Sequence, residues 1–204
     1  MGKFNDDNLF HFVYVCAMRD AVLQKAYVGE KKWLWTTETI QAENSVRKYI
    51  DHLLEIGFQS QEEHDNYFMN VVLEVCNIIN EKITVDKKEG HFSFGNAQKL
   101  INITCKYFYI TCYKYTDLRN NFKYCHCPMD SILLDYVWKI IKNKQNMTSF
   151  EFKKSWGNEE LRNDSDCNFE LPDRYMLFQE SIRYLARQKN ISPLEYDFLV
   201  WENE

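Results

Sequence analysis

The chain has 204 residues and a formal charge of −5, with 45% hydrophobic and 27% charged residues, enough for a sizeable core and unlike a disordered tail. No run of about 18 uncharged apolar residues occurs, which excludes a membrane-spanning helix, and the stretch from Met1 to Asp7 carries no signal-peptide core. Seven cysteines, an odd and scattered set, fit reduced thiols in a cytoplasmic setting rather than a disulfide framework.

Only 6 glycines and 3 prolines interrupt the chain, and aromatic residues reach 16%, so long amphipathic helices are expected and the fold class reads as all-α. A first helix is expected over residues 7 to 27, with Leu9, Phe10, Val13 and Leu23 among its core positions. Trp33-Leu34-Trp35 follows in a connector, where the tryptophans are expected to cover the core in preference to stacking on a base. A second helix runs from about Thr37 to Ile56 and stops at Gly57, a suitable C-terminal residue. Ser60-Gln61-Glu62-Glu63 is a capping box for a third helix with Phe68, Val71, Val72 and Val75 on one face.

After the polar break of residues 86 to 90, Ala97, Leu100, Ile101, Thr104, Cys105 and Phe108 recur at helical steps and predict a helix over residues 97 to 113. Lys99, Asn102 and Lys106 share a second face of it. Lysines on an apolar helix are costly unless they reach water or a partner. Residues 114 to 127 read as a connector ending in Cys125-His126-Cys127, which lacks the paired Cys-x-x-Cys spacing of a zinc site. Asp130, after Pro128 and before Ile132-Leu133-Leu134, reads as the N-cap of the next helix, its carboxylate favoured in the charged form there. Thr148 to Glu151 forms another box, residues 157 to 171 read as a polar loop, and Pro172-Asp173 starts a helix to about Gln188. Ser192-Pro193-Leu194-Glu195 combines a cap, an N1 proline and a box glutamate, and its helix puts Asp197 and Trp201 one turn apart.

Charge is unevenly distributed. Residues 82 to 154 hold 13 Lys and Arg against 6 Asp and Glu, a surplus of seven, so the remainder carries −5 − 7 = −12. A basic middle inside an acidic chain can present a phosphate-binding face.

Gln98-Lys99, Lys106 seven residues on, Pro128-Met129-Asp130, and Ser192-Pro193-Leu194-Glu195-Tyr196-Asp197 with Trp201 together resemble the archaeal-type 8-oxoguanine DNA glycosylase family. That family is a branch of the helix-hairpin-helix DNA glycosylases. The likeness consists of short blocks in residues 94 to 201, and residues 1 to 90 contribute nothing to it. The superfamily hairpin usually has two glycines before the lysine. Only Gly95 is present here, so an atypical hairpin is expected.

The resemblance implies a single domain over residues 1 to 204, of two helical lobes with a cleft near residues 94 to 131. It implies a monomeric enzyme that removes an oxidised purine from double-stranded DNA and whose lysine chemistry can extend to a lyase step. It makes Lys99 the nucleophile and Asp130 the catalytic aspartate, and places Gln98, Lys106, Asp197 and Trp201 at the substrate. Neither metal nor organic cofactor is implied, and no membrane. The chemistry is coherent with these residue types. A base is reached only when its nucleotide leaves the stack. A neutral amine can attack the sugar C1′ to give a Schiff base. A fixed carboxylate can stabilise the charge developing on the sugar, and an indole can stack on the base. The rival expectation is a non-catalytic helical protein that binds DNA or another protein and has no cavity at which Lys99, Asp130 and Trp201 meet.

Overall fold

A computed structural model describes residues 6–22, 37–85, 92–112, 115–142 and 173–202, and in these the chain is all-helical, with no strand. The helices are α1 (Asp6–Ala21), α2 (Thr37–Glu55), α3 (Gln61–Val85), α4 (Phe94–Thr111), α5 (Thr116–Asn120), α6 (Ser131–Ile141), α7 (Asp173–Lys189) and α8 (Pro193–Trp201). The Trp33-Leu34-Trp35 connector, the break at residues 86 to 90, the capping box at 148 to 151 and the loop at 157 to 171 lie outside the described residues.

The helix ends follow local chemistry. Gly57 follows α2 with φ +70°, and its N–H donates to His52 O at 2.9 Å. A Cβ there would also meet the Asn121 side chain at 3.0 Å, so both conformation and space favour glycine. At α3 the Glu63 N–H donates to Ser60 Oγ at 3.1 Å, but the Glu63 carboxylate accepts from the Gln59 N–H rather than that of Ser60. Helix α4 starts three residues earlier than the apolar periodicity predicts. Ser93 caps it, and Asn96 completes the box in place of the usual Glu or Gln. The five-residue α5 falls within the stretch expected to be a connector and has no side-chain cap that would have announced it.

Helix α4 is the centre of the packing. It lies chiefly against α1 and touches α2 and α3, which pair with each other, while α6, α7 and α8 pack together. Phe94, Ala97, Leu100, Ile101, Cys105 and Phe108 of α4 are all buried with Phe10, Tyr49, Phe68 and Tyr175. Each large apolar side chain taken fully from water contributes about 1.5–3 kcal/mol. Burial nearly all round α4 leaves one narrow stripe of it open.

Candidate active-site cleft

That stripe carries the lysines. Lys99 and Lys106 are seven residues apart, so they project from nearly the same side of α4, about 10 Å apart along its axis, with Ile103 between them. All three line a cleft of about 480 Å³ with Asp20, Tyr107, Pro128, Asp130 and Trp201. Asn102, expected on the same face, is turned inward at the edge of the stripe and is fully buried. Its amide donates to Gln98 Oε1, Cys127 O and Tyr175 Oη at 3.1, 3.3 and 3.0 Å. Only about 40–60° of rotation around the helix separates Asn102 from the two lysines, so the edge between the open stripe and the core is sharp.

Asp130 caps α6 as its sequence context predicts. Its backbone is extended, and its Oδ1 accepts from the Leu133 N–H at 2.9 Å. The cap pins the carboxylate at the cleft wall while leaving it half-buried. Trp201, at the end of α8, is 47% exposed, so part of its side chain is covered by its neighbours and part opens on the cleft.

Two predicted site residues lie behind the cleft rather than on it. Gln98 is buried; its amide donates to Gly95 O and Met129 O, and its oxygen accepts from the Met129 N–H at 3.2 Å, tying α4 to the Pro128–Asp130 strap. Asp197 is fully buried, and Lys106 Nζ stands 2.5 Å from its Oδ2. Both the Lys106 ammonium and the Trp201 side chain help to hold the Asp197 carboxylate in its charged form. Burial pushes this carboxyl above the usual carboxylate range; Lys106 draws it back, while nearby Asp130 adds to the rise. The Lys106 ammonium also lies over the Phe198 and Trp201 rings, 5.0 and 5.4 Å from their centroids.

The cleft also holds a carboxylate that sequence reasoning missed. Asp20, near the end of α1, accepts from Tyr107 Oη at 3.1 Å across 87 residues of sequence. Burial and Asp20 together push the Tyr107 hydroxyl up to about 12. Nothing local marks Asp20, because only the packing of α1 on α4 brings it here. The cleft lining therefore carries two lysines and two aspartates, and the surplus charge of residues 82 to 154 is not concentrated in it.

A separate buried cluster lies between α3, α7 and the residues before α6. His64, Asp65 and His126 offer ligand atoms within 4.8 Å of one another, a spacing able to hold a metal ion. The positive charge there is a side chain: Arg183 Nη2 stands 2.9 Å from Asp65 Oδ1 and 2.7 Å from His126 Nε2. Burial lowers His126 to about 3, against the pull of Asp65, and keeps it neutral. Asp65 is held well below the usual carboxylate range, because hydrogen bonds from His126 and His64 outweigh the burial that would raise it. The Cys125-His126-Cys127 side chains diverge, as an extended tripeptide requires. Cys125 lies 3.9 Å from Tyr49 Oη, His126 bonds Tyr175 and Asp65, and the Cys127 thiol donates to Pro193 O.

Comparison of the chain with protein-family models, with curated proteins and with solved structures finds no match in any of the three.

Proposed function

We propose that the cleft excises an oxidised purine such as 8-oxoguanine from double-stranded DNA, with Lys99 as nucleophile and Asp130 as the charged group beside it. The observation that supports this reading is convergence. Lys99, Asp130 and Trp201 come from α4, the cap of α6 and the end of α8, and they line one concavity. Its volume of about 480 Å³ suits a single small ligand such as a base. The rival, non-catalytic reading expects no such meeting.

In the proposed reaction the extruded base stacks on the exposed Trp201 ring. The Lys99 amine attacks C1′ of the sugar. The C1′–N bond breaks, and the base leaves with its bonding electrons and takes up a proton. Ring opening of the sugar gives an imine between Lys99 and C1′; loss of a C2′ proton can then expel the 3′ phosphate, and with or without that elimination, hydrolysis of the imine by water releases the enzyme. Asp130, fixed by its bond to the Leu133 N–H, stabilises positive charge on the sugar as the bond to the base stretches. Asp197 acts through Lys106: it holds that ammonium against the Trp201 ring and limits its repulsion of other cations in the cleft.

The test is borohydride trapping on a duplex with a single 8-oxoguanine. A covalent adduct mapping to Lys99 is expected. Absence of excision and adduct on 8-oxoguanine, other oxidised purines and uracil, with the protein folded, would overturn the reading in favour of a non-catalytic binding protein.

A further inference from the structure

A second concavity, of about 830 Å³, lies at the other end of α8. Its walls come from the end of α4, from α5 and the turn after it, from the outer face of α7, and from the cap of α8. Four cations line it, Arg119, Lys123, Arg183 and Arg187, against two carboxylates, Glu180 and Glu195. Glu195 is already engaged within the fold. It accepts from Tyr109 Oη at 2.5 Å and from the Ser192 N–H and hydroxyl at 2.8 and 3.0 Å, closing the capping box of α8. Glu180 is exposed and is the other acidic member of the lining.

Aromatic rings hold two of the cations, and a carboxylate of the cluster behind the groove pairs with a third. The Arg119 guanidinium lies 5.9 Å from the Tyr109 ring centroid and the Lys123 ammonium 4.7 Å from that of Tyr124. Arg183 is anchored on Asp65 and His126 through Nη2. The Nε atoms of Arg119 and Arg183 are buried with no hydrogen-bond partner among the described residues. Arg119 and Lys123 stand on one wall of the hollow and Arg183 and Arg187 on another, and cations spread over two walls fit a chain of repeated negative charges better than one compact anion.

We propose that this groove binds the sugar–phosphate backbone of the duplex whose damaged base enters the cleft. The inference rests on the reading of the chain as a DNA-acting protein. The nine residues of α8 span about 13 Å, which is roughly four base-pair steps along a duplex. The groove therefore grips phosphates several nucleotides away from the extruded one. It supplies affinity that does not depend on the lesion.

The experiment measures anisotropy of a fluorescein-labelled, undamaged duplex across a salt series, with single-turnover excision on the 8-oxoguanine duplex alongside. The variants are the full chain with Arg119→Gln, Lys123→Gln and Arg187→Gln together, and Glu180→Gln alone. Arg183 is left in place because the buried cluster depends on it. The triple variant is expected to bind about tenfold or more weakly, with a salt slope shallower by about three. Its excision rate at saturating duplex should match the parent's. Glu180→Gln is expected to tighten binding about two- to threefold, a gain that a purely structural role would not give. A folded triple variant with the parent's affinity and slope overturns the groove assignment, whether or not the cleft excises a base. If duplex binding depends on the groove as described but no variant, parent included, excises a base, the groove stands and the glycosylase reading falls.

Discussion

The cleft and the groove lie at opposite ends of α8 and handle charge differently. In the cleft Lys99 and Lys106 face Asp20 and Asp130, and Lys106 is further held by Asp197 from behind. In the groove four cations meet two carboxylates, one of them taken up by the helix cap, and with Asp65 paired to Arg183 from behind a positive surplus still remains. A reacting centre needs charges fixed relative to one another, since a loose ion reorganises at a cost when the transition state forms. A backbone-binding surface needs a surplus, because released counterions supply its affinity. The basic middle of the chain feeds both places: Lys99 and Lys106 go to the cleft, Arg119 and Lys123 to the groove.

Substitutions that separate chemistry from binding test this contrast. Lys99→Gln should have the largest effect, complete loss of borohydride trapping with undamaged-duplex affinity unchanged, because an amide forms no imine. An adduct that persists in this variant would move the nucleophile elsewhere, with Lys106 as the next amine to map. Asp130→Asn should lower single-turnover excision about 10²–10³-fold. Asparagine caps helices as well as aspartate does, so melting temperature should barely change. A full-rate Asp130→Asn would reduce Asp130 to a cap.

Trp201→Ala should follow, with excision down about 5- to 100-fold and undamaged-duplex binding within about twofold, since stacking on a flipped base contributes about 1–3 kcal/mol. Equal losses in both assays would place Trp201 on the duplex surface instead of against the base.

The smallest effect concerns the buried cluster that anchors Arg183 at the groove wall. His126 is lowered to about 3 in the folded protein, whereas an unfolded histidine titrates near 6.5. Between those values the unfolded chain binds the extra proton, so stability rises with pH across this window and is lost as pH falls through it. The limiting slope is about 1.4 kcal/mol per pH unit. His64 is raised, since its hydrogen bonds to Asp65 and Cys125 outweigh burial, so its contribution declines above about pH 6.5 and leaves the acid window to His126. Asp65, lowered, adds to acid loss only below about pH 4. Urea unfolding from pH 4.5 to 6.5 should show the slope in the parent and a flatter profile in His126→Gln. Equal slopes in the two proteins would mean that His126 does not titrate between folded and unfolded states as described.

Much of the local structure was legible in the amino-acid order. Gly57 ends α2, Asp130 caps α6, and Ser192 with Glu195 opens α8, because each is a short-range hydrogen-bonding or backbone requirement met within a few residues. The seven-residue spacing of Lys99 and Lys106 already placed them on one side of a helix. Tertiary packing decided which side was open. It turned Asn102 inward to Tyr175 and Cys127, and it withdrew Gln98 and Asp197 behind the cleft wall. It brought Asp20 to Tyr107 across 87 residues and gathered Arg119 and Lys123 with Arg183 and Arg187 from two distant parts of the chain. Helix periodicity and caps are set by near neighbours along the chain. Burial, ion pairing and the meeting of remote side chains are set by how the helices pack, and no spacing within one segment encodes that.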